Sequence, residues 1–470
     1  MAFRGMKLSR RAFLGGGVAA LGVAAMPAFA ARKVRGNDLV GDGATNNTPV
    51  LQNLLDDLSA TGGGTVEIPA GVHVVDFAGD MFFNGAPQRY CIAVPSNISI
   101  VLGPGTVIKL ADNADATLFM NDGISGAGNS NISISGGTLD LNRVNQMGAP
   151  YGFTGGVMFH NVDRFRTRDV QIIEVNEYAM YCLGLYNSSF ENLSCDGSDG
   201  SGFHFGNDYI TEGASARVSD SYFNNIVAKN IIGATPGRAF GNPFIFVGDR
   251  CYVGSVRSQY TSNGIKIQNA TADCHFESLM ADEVGLDGIR FQGSPGRIVK
   301  SNTVGSLHAT NCRGKGVAFH RVEDIEVAQI RAYNCGVTGA TPNVDIWGDV
   351  SDLQIGSVFT DTTQHDGLRM GGGNVQHINI GQVIAKASSL VSVWGHVSVA
   401  IDAAHVSIGR ATTITGATAQ RGAIRIYPNS RNVRIGTVDA HGDYTLGELL
   451  IESNDNIEIL SLRVNGQMVA

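Results

Sequence analysis

One short phrase recurs through the second half of the chain and narrows its folding options more than any other feature. It reads hydrophobic–x–Ile–Gly–x–hydrophobic and surrounds Gly356, Gly381, Gly409 and Gly436, at intervals of 381 − 356 = 25, 409 − 381 = 28 and 436 − 409 = 27 residues. Looser copies precede it at Gly254, Glu277, Gly305 and Ala328. An apolar–x–apolar phrase runs alongside, as Ile265-Lys266-Ile267, Ile289-Arg290-Phe291, Val317-Ala318-Phe319 and Leu368-Arg369-Met370. Two short strands in every period of about 20–30 residues predict an all-β solenoid, in which each coil buries its apolar face only against its neighbours. Such a fold presents long, flat faces of parallel strands that suit extended polymers.

The N-terminal residues read as an address. Ser9-Arg10-Arg11-Ala12-Phe13-Leu14 leads into a Gly/Ala-rich apolar run and then Ala28-Phe29-Ala30, the pattern of a twin-arginine export signal cleaved after Ala30. Such cargo crosses the membrane folded, so the expected destination is the periplasm or exterior of a bacterium, with residues 31–470 as one domain. Residues 1–30 hold Arg4, Lys7, Arg10 and Arg11 and no acid, so cleavage moves the formal charge from −8 to −8 − 4 = −12. A chain this acidic lacks the broad basic field that nucleic-acid binding needs. Beyond the leader no segment is apolar enough over sufficient length to span a bilayer, so no membrane anchor is expected. Of seven cysteines, Cys251 and Cys274 are 23 residues apart, as are Cys312 and Cys335. One coil of separation stacks like residues about 4.8 Å apart. That is within disulfide reach, but buried thiols pack equally well in a protein folded before export, so interior ladders are the first expectation.

Residues 41–75 form a distinct opening module. Thr48 is placed to cap a helix with Pro49 in its first turn, and Leu51, Leu54, Leu55 and Leu58 recur at helical spacing. Gly62-Gly63-Gly64 ends that helix, and Val66-Glu67-Ile68 begins a strand that turns at Pro69-Ala70-Gly71. An amphipathic helix at the open end would cover the apolar core and strand edges of a first coil. The stretch GDGATNNTPVLQ…GGGTVEIPAG resembles the opening motif of the pectate-lyase-like right-handed β-helix superfamily, especially its rhamnogalacturonase/epimerase-like branch, with Asn46-Asn47 replacing the usual acidic pair. SISGGTLDLNRVN (133–145) is similar to another coil of that superfamily. The resemblance implies a right-handed parallel β-helix with a short N-terminal capping helix over residues 40–75, and carbohydrate chemistry. Gly41, Asp42 and Gly43 are expected to be turn residues.

Counting coils upstream gives strands at Val157/Phe159, Met180/Cys182 and Phe203/Phe205, then Phe244/Phe246 after 244 − 203 = 41 residues. Residues 206–243 are therefore expected to contain a loop beside the binding groove. Side chains between two inward apolar residues point outward. That column reads Tyr181, His204, Ile245, Lys266, Arg290, Ala318, Asp345, Arg369, Ser392 and Arg425. Its basic members suit the carboxylates of a uronic-acid polymer, although solenoid strands also use Lys and Arg simply to solvate themselves. Acids surround the column: Glu177, Asp196, Asp199, Asp208 and Asp287.

Three readings follow. In a polysaccharide lyase, Lys266 or Arg290 neutralises the uronate carboxylate and takes the C5 proton, with His204 or Tyr181 as proton donor; a uronate epimerase shares the proton abstraction and omits cleavage. In a glycoside hydrolase or glycan transferase, Asp199 acts with Asp287 or Glu177 as a carboxylate pair. In a glycan-binding protein the same face binds without turnover. Arg369, Tyr181, Glu177 and Asp208 are the candidate substrate-binding residues in all three. The partner is a polysaccharide or oligosaccharide, and the protein a monomer or homotrimer. No cofactor is required; calcium is the one metal that Asp196, Asp199 and Asp208 could hold.

Overall fold

The computed structural model describes residues 32–83, 85–147, 154–207, 216–233, 241–337, 341–361, 366–387, 397–415, 422–444, 449–453 and 455–469. Residues 1–31, which include the expected export signal, and Asp208 lie outside them. Strand after strand pairs in parallel with the strand one coil later, and the described coils form three stacks around one apolar interior. The first stack runs from Ala86–Val94 through Thr117–Asn121, Tyr178–Tyr186, Ser201–Phe205, Phe244–Phe246, Ile265–Gln268 and Ile289–Gln292 to Leu449–Ile451. The other two are often one continuous strand, as in Tyr252–Thr261 and His275–Val284, with the pairing interrupted at the position of the repeated phrase, Gly254 in the first and Glu277 in the second. The expected apolar positions fall in one register: Val157 faces Met180, Met180 faces Phe203, and Phe203 faces Phe244.

Close packing between coils explains the glycines of the phrase. Gly254, Glu277, Gly305, Ala328, Gly356, Gly381, Gly409 and Gly436 share one register column. A Cβ on Gly356, Gly381, Gly409 or Gly436 would stand 2.4–2.6 Å from the carbonyl oxygen of the residue one coil before. The glycines thus allow the coil-to-coil approach that parallel pairing requires. Inside, Phe190 and Phe223 stack 4.6 Å apart with rings 3° from parallel. The column continues through Phe246, Phe276 and Phe291, and each fully buried ring contributes about 1.5–3 kcal/mol of transfer free energy.

The opening module is structural, with one shift from expectation. The helix spans Thr48–Ala60, so Thr48 is its first residue and Asn47 its N-cap. Thr48 is instead used across the coil, where its Oγ1 donates to Asp76 O at 3.1 Å. Asn47 ties the incoming chain together by donating to Val40 O and Thr45 O. Leu51, Leu55 and Leu58 are buried over the first coil. Asp42 closes a turn by accepting the backbone N–H groups of Ala44 and Thr45, and these bonds hold its carboxyl down at about 2. No helix among the described residues is long and apolar enough to cross a membrane.

All seven cysteines are buried thiols. Cys251 and Cys274 stack as the spacing predicts, with Cys251 N–H donating to Cys274 Sγ at 3.4 Å, and each thiol donates to a carbonyl two residues earlier. One expectation changes. Register carries the outward column from Arg369 to Ala400, not Ser392, because Leu368 pairs with Val399; Ser392 lies outside the described residues. The stretch 206–243 contains the regular strand Tyr222–Ile231, and its residues 208–215 and 234–240, where the expected loop falls, lie outside the described residues.

Gly381→Val is expected to lower the urea midpoint by the equivalent of about 1–3 kcal/mol, the usual cost of forcing a packed contact, and equilibrium unfolding by circular dichroism checks this. Without reductant, a thiol reagent should titrate all seven cysteines in denaturant and essentially none in the native protein.

Candidate functional site

The outward column of the first stack changes chemistry along its length. Met158 pairs with Met120 and Tyr181, Tyr181 with His204, His204 with Ile245, Ile245 with Lys266, and Lys266 with Arg290. Ala318, Asp345, Arg369, Ala400 and Arg425 follow. The upstream part is apolar and covered, whereas from His204 onward ionisable side chains are interspersed with Ile245, Ala318 and Ala400.

At the boundary sits His204. Its ring lies 4.8 Å from that of Tyr181, edge-on, and 5.9 Å from that of Tyr178. Its Nδ1 is buried without a hydrogen-bond partner among the described residues. Burial, with a smaller push from the Lys266 charge, lowers its pKa to about 4, so the imidazole is neutral near neutrality. The Tyr181 hydroxyl accepts a hydrogen bond from Asn207 Nδ2 at 3.2 Å.

Lys266 and Arg290 stand on adjacent coils. Arg290 is held by Asp287, and its Nη1 donates to Gln292 Oε1 at 3.0 Å. Asp287 also accepts the backbone N–H of Lys315 at 2.8 Å. Arg290 is thereby fixed on the face with its side chain one-third exposed. Lys266 has no ion pair or hydrogen bond of its own among the described residues. Burial first, and the Arg290 charge second, lower its pKa to about 8, against a smaller opposing pull from Asp287. An amine in that range is a usable base near neutral pH.

Two coils beyond Arg290 is a second charged group. Asp345 is fully buried and bridges Lys315 at 2.6 Å and Arg369, which reaches both carboxylate oxygens at 2.9 Å. The Lys315 ammonium lies 4.5 Å from the Trp347 ring centroid, and His320 stacks on the same indole at 3.9 Å. Sequence reading passed over Lys315, His320 and Trp347. The signal was available: Trp347 lies two residues after Asp345 on the same strand, and Lys315 occupies the same corner position as Asp287, two residues before an inward apolar residue.

Of the candidate carboxylates, Glu177 and Asp199 stand on adjacent coils, where Asp199 N–H donates to Val175 O and Ser201 N–H to Glu177 O, and Asp287 lies farther along. Asp199 accepts from Arg143 Nη1 at 2.7 Å, and Glu177 is buried with Oε2 accepting from Thr154 N–H at 3.0 Å. Asp199 and Asp287 belong to coils three steps apart (203→244→265→289). At about 4.8 Å per step this is roughly 14 Å, beyond the range of about 5–9.5 Å that a glycosidase pair spans. Among the described residues no group of three or more His, Cys, Asp or Glu side chains is arranged to hold a metal ion. Asp196 accepts from Asn230 and Asp199 is taken by Arg143.

No protein-family model matches the chain. A 201-residue stretch, 41% of the chain, is 32% identical to the mannuronan C5-epimerase AlgE3 of Azotobacter vinelandii and covers 10% of that protein. A 145-residue stretch, 30% of the chain, is 36% identical to alginate lyase 7 of the same organism and covers 16% of it. The chain therefore matches only a small part of the length of these curated relatives. Among solved structures, the A-module of the A. vinelandii mannuronan C-5 epimerase AlgE4 superposes over 85% of this chain and 99% of that module, with a TM-score of 0.57 at 16% identity. The fold is a right-handed parallel β-helix similar to that of the AlgE4 A-module.

Because the Arg290 charge helps hold Lys266 down, Arg290→Gln is expected to move the Lys266 pKa upward from about 8. Lysine side-chain NMR titration of the two proteins measures the shift, and its sign must be positive.

Proposed function

We propose that the protein is an exported bacterial enzyme that removes the C5 proton from uronate units of a 1,4-linked polyuronate, with C5 epimerisation as the outcome. The observation that carries the reading is Lys266: a lysine with no ion pair among the described residues, deprotonable near neutrality, beside a guanidinium fixed by a carboxylate. Sequence similarity to mannuronan C5-epimerases supports the choice of substrate class. The acidic balance of the chain makes the cationic strip from Lys266 to Arg425 the natural place for a polyanion.

The chemistry assigns one role to each group. A uronate unit lies over Ile245, between His204 and Lys266, with its carboxylate on Arg290. Asp287 keeps that guanidinium in place, so no reorganisation is needed when negative charge develops on the carboxylate during proton removal. Neutral Lys266 takes the C5 proton. Tyr181 stands two coil steps from Ile245, roughly 10 Å at about 4.8 Å per step, too far to protonate C5, and neutral His204 is a weak acid near neutral pH, so water supplies the returning proton. Return of a proton to the opposite face of C5 inverts the centre. Loss of the 4-linked oxygen from the same carbanion instead cleaves the chain, and the 36% identity to alginate lyase 7 favours this as the second reading. Asp199 and Glu177 support the coils in both cases.

Wild-type enzyme acting on mannuronan in deuterated water is expected to place deuterium at C5, read by NMR. Lys266→Ala should reduce the rate about 10²–10⁴-fold, the usual loss for a general base. With Lys266 as the base, kcat/KM should rise with pH and level off above about 8; a rate that falls through that range would make the ammonium the active form. Ultraviolet absorbance from an unsaturated uronate product selects the lyase outcome. No exchange on any polyuronate would sink the proposal.

A further inference from the structure

The groove has one closed end. Upstream of His204 the outward residues are Tyr181, Met158 and Met120, and they are 4%, 2% and 0% exposed. Over these three long side chains the cover is visible, since Phe83 packs in one cluster with them. That cover is a hairpin made by Gly79–Phe83 pairing antiparallel with the first part of Ala86–Val94. Its second strand starts as the hairpin arm and continues as a strand of the first stack, where Ala93 pairs with Met120. The arm is therefore anchored in the sheet whose face it covers.

Phe83, 5% exposed, joins Met120, Ile124, Met158, Tyr181 and Leu183 in an apolar cluster separate from the solenoid interior. Its ring lies 5.0 Å from that of His160, and Ser125 Oγ donates to Phe82 O at the arm's tip. Downstream, among the described residues, the face is mixed: Ile245, Ala318, Asp345 and Ala400 are buried, while the Arg290 and Arg369 side chains are 33% and 40% exposed. The charged strip runs along the solenoid axis, so a polyanion bound to it runs along the axis too and meets the arm at Tyr181.

We infer that the arm of residues 79–90 makes this an end-directed enzyme: the polyuronate enters along the Arg290–Arg369 strip, and one chain terminus abuts the Phe83–Tyr181 cluster. The inference rests on the proposed reaction at Lys266 and adds the position of the reacting unit in the chain. From Ile245 to Tyr181 is two coil steps (181→204→245). That is roughly 10 Å at about 4.8 Å per step, with the second step already under the arm. The uncovered length leaves room for at most one sugar beyond the reacting unit, so the reacting unit is terminal or next to terminal. Arg369 then binds the chain on its interior side, and the anchor at Asp345 fixes its guanidinium there.

The test uses size-defined oligouronates labelled at one end, with the full protein, and maps the position of C5 deuterium or of cleavage as a function of time. The expected result is modification at a fixed distance from one terminus at every chain length, with an initial rate proportional to the concentration of chain ends at equal uronate mass. Modification spread evenly through internal units overturns the inference and leaves the proposed reaction standing. Absence of turnover on every polyuronate overturns both.

A second arm of the experiment opens the wall. In Phe83→Ser and in a Met81→Ser, Phe83→Ser pair, internal modification should increase at least several-fold relative to terminal modification, while Lys266-dependent exchange on the shortest substrates is retained. Circular dichroism confirms that each variant is folded. A folded variant with an unchanged end preference shows that the arm does not set the position, and the inference fails.

Discussion

Coil-to-coil hydrogen bonding in one strict register is the constraint on which everything else depends. Strands in the body of the solenoid satisfy their backbone groups through the coils above and below, so a position in one coil is fixed over the equivalent position in the next. Columns, not isolated residues, become the unit of design. The glycine column lets successive coils approach, the phenylalanine column fills the interior, and the thiol pairs occupy corners. The same rule places Lys266 and Arg290 on adjacent rungs, about 4.8 Å apart at the backbone, without any loop having to bring them together.

Placing cations in a column creates a cost, because like charges on adjacent rungs repel and half-buried charges lose solvent. The structure offsets it unevenly. Asp287 neutralises Arg290, and buried Asp345 takes both Lys315 and Arg369. Among the described residues Lys266 receives no such partner, and burial first and the Arg290 charge second lower its pKa to about 8. In the proposed reaction the cations with carboxylate partners hold the polyanion and Lys266 moves the proton.

The order of the repeats was legible because hydrophobic periodicity is a local property. The outward column from Tyr181 to Arg369 follows from alternation alone, and the register reproduces it. Legibility failed where coil length varied. Ser392 was placed by counting from a period, while pairing sends the column through Ala400. The carboxylates failed for a related reason. Glu177, Asp199 and Asp287 look alike in sequence, each near a turn, but their partners come from neighbouring coils: Thr154 for Glu177, Arg143 for Asp199, and Arg290 with Lys315 for Asp287.

By itself the sequence determined the solenoid, its helical cap and the identity of the outward cationic strip, since these depend on spacing and on strand alternation. Tertiary structure decided which of those cations are neutralised and where the strip ends. Asp345 can hold Lys315 and Arg369 only because coils stack, and the arm carrying Phe83 covers Met120, Met158 and Tyr181 by folding back from the strand that anchors it. Both are contacts between residues far apart in the chain, and no local pattern of side chains encodes them.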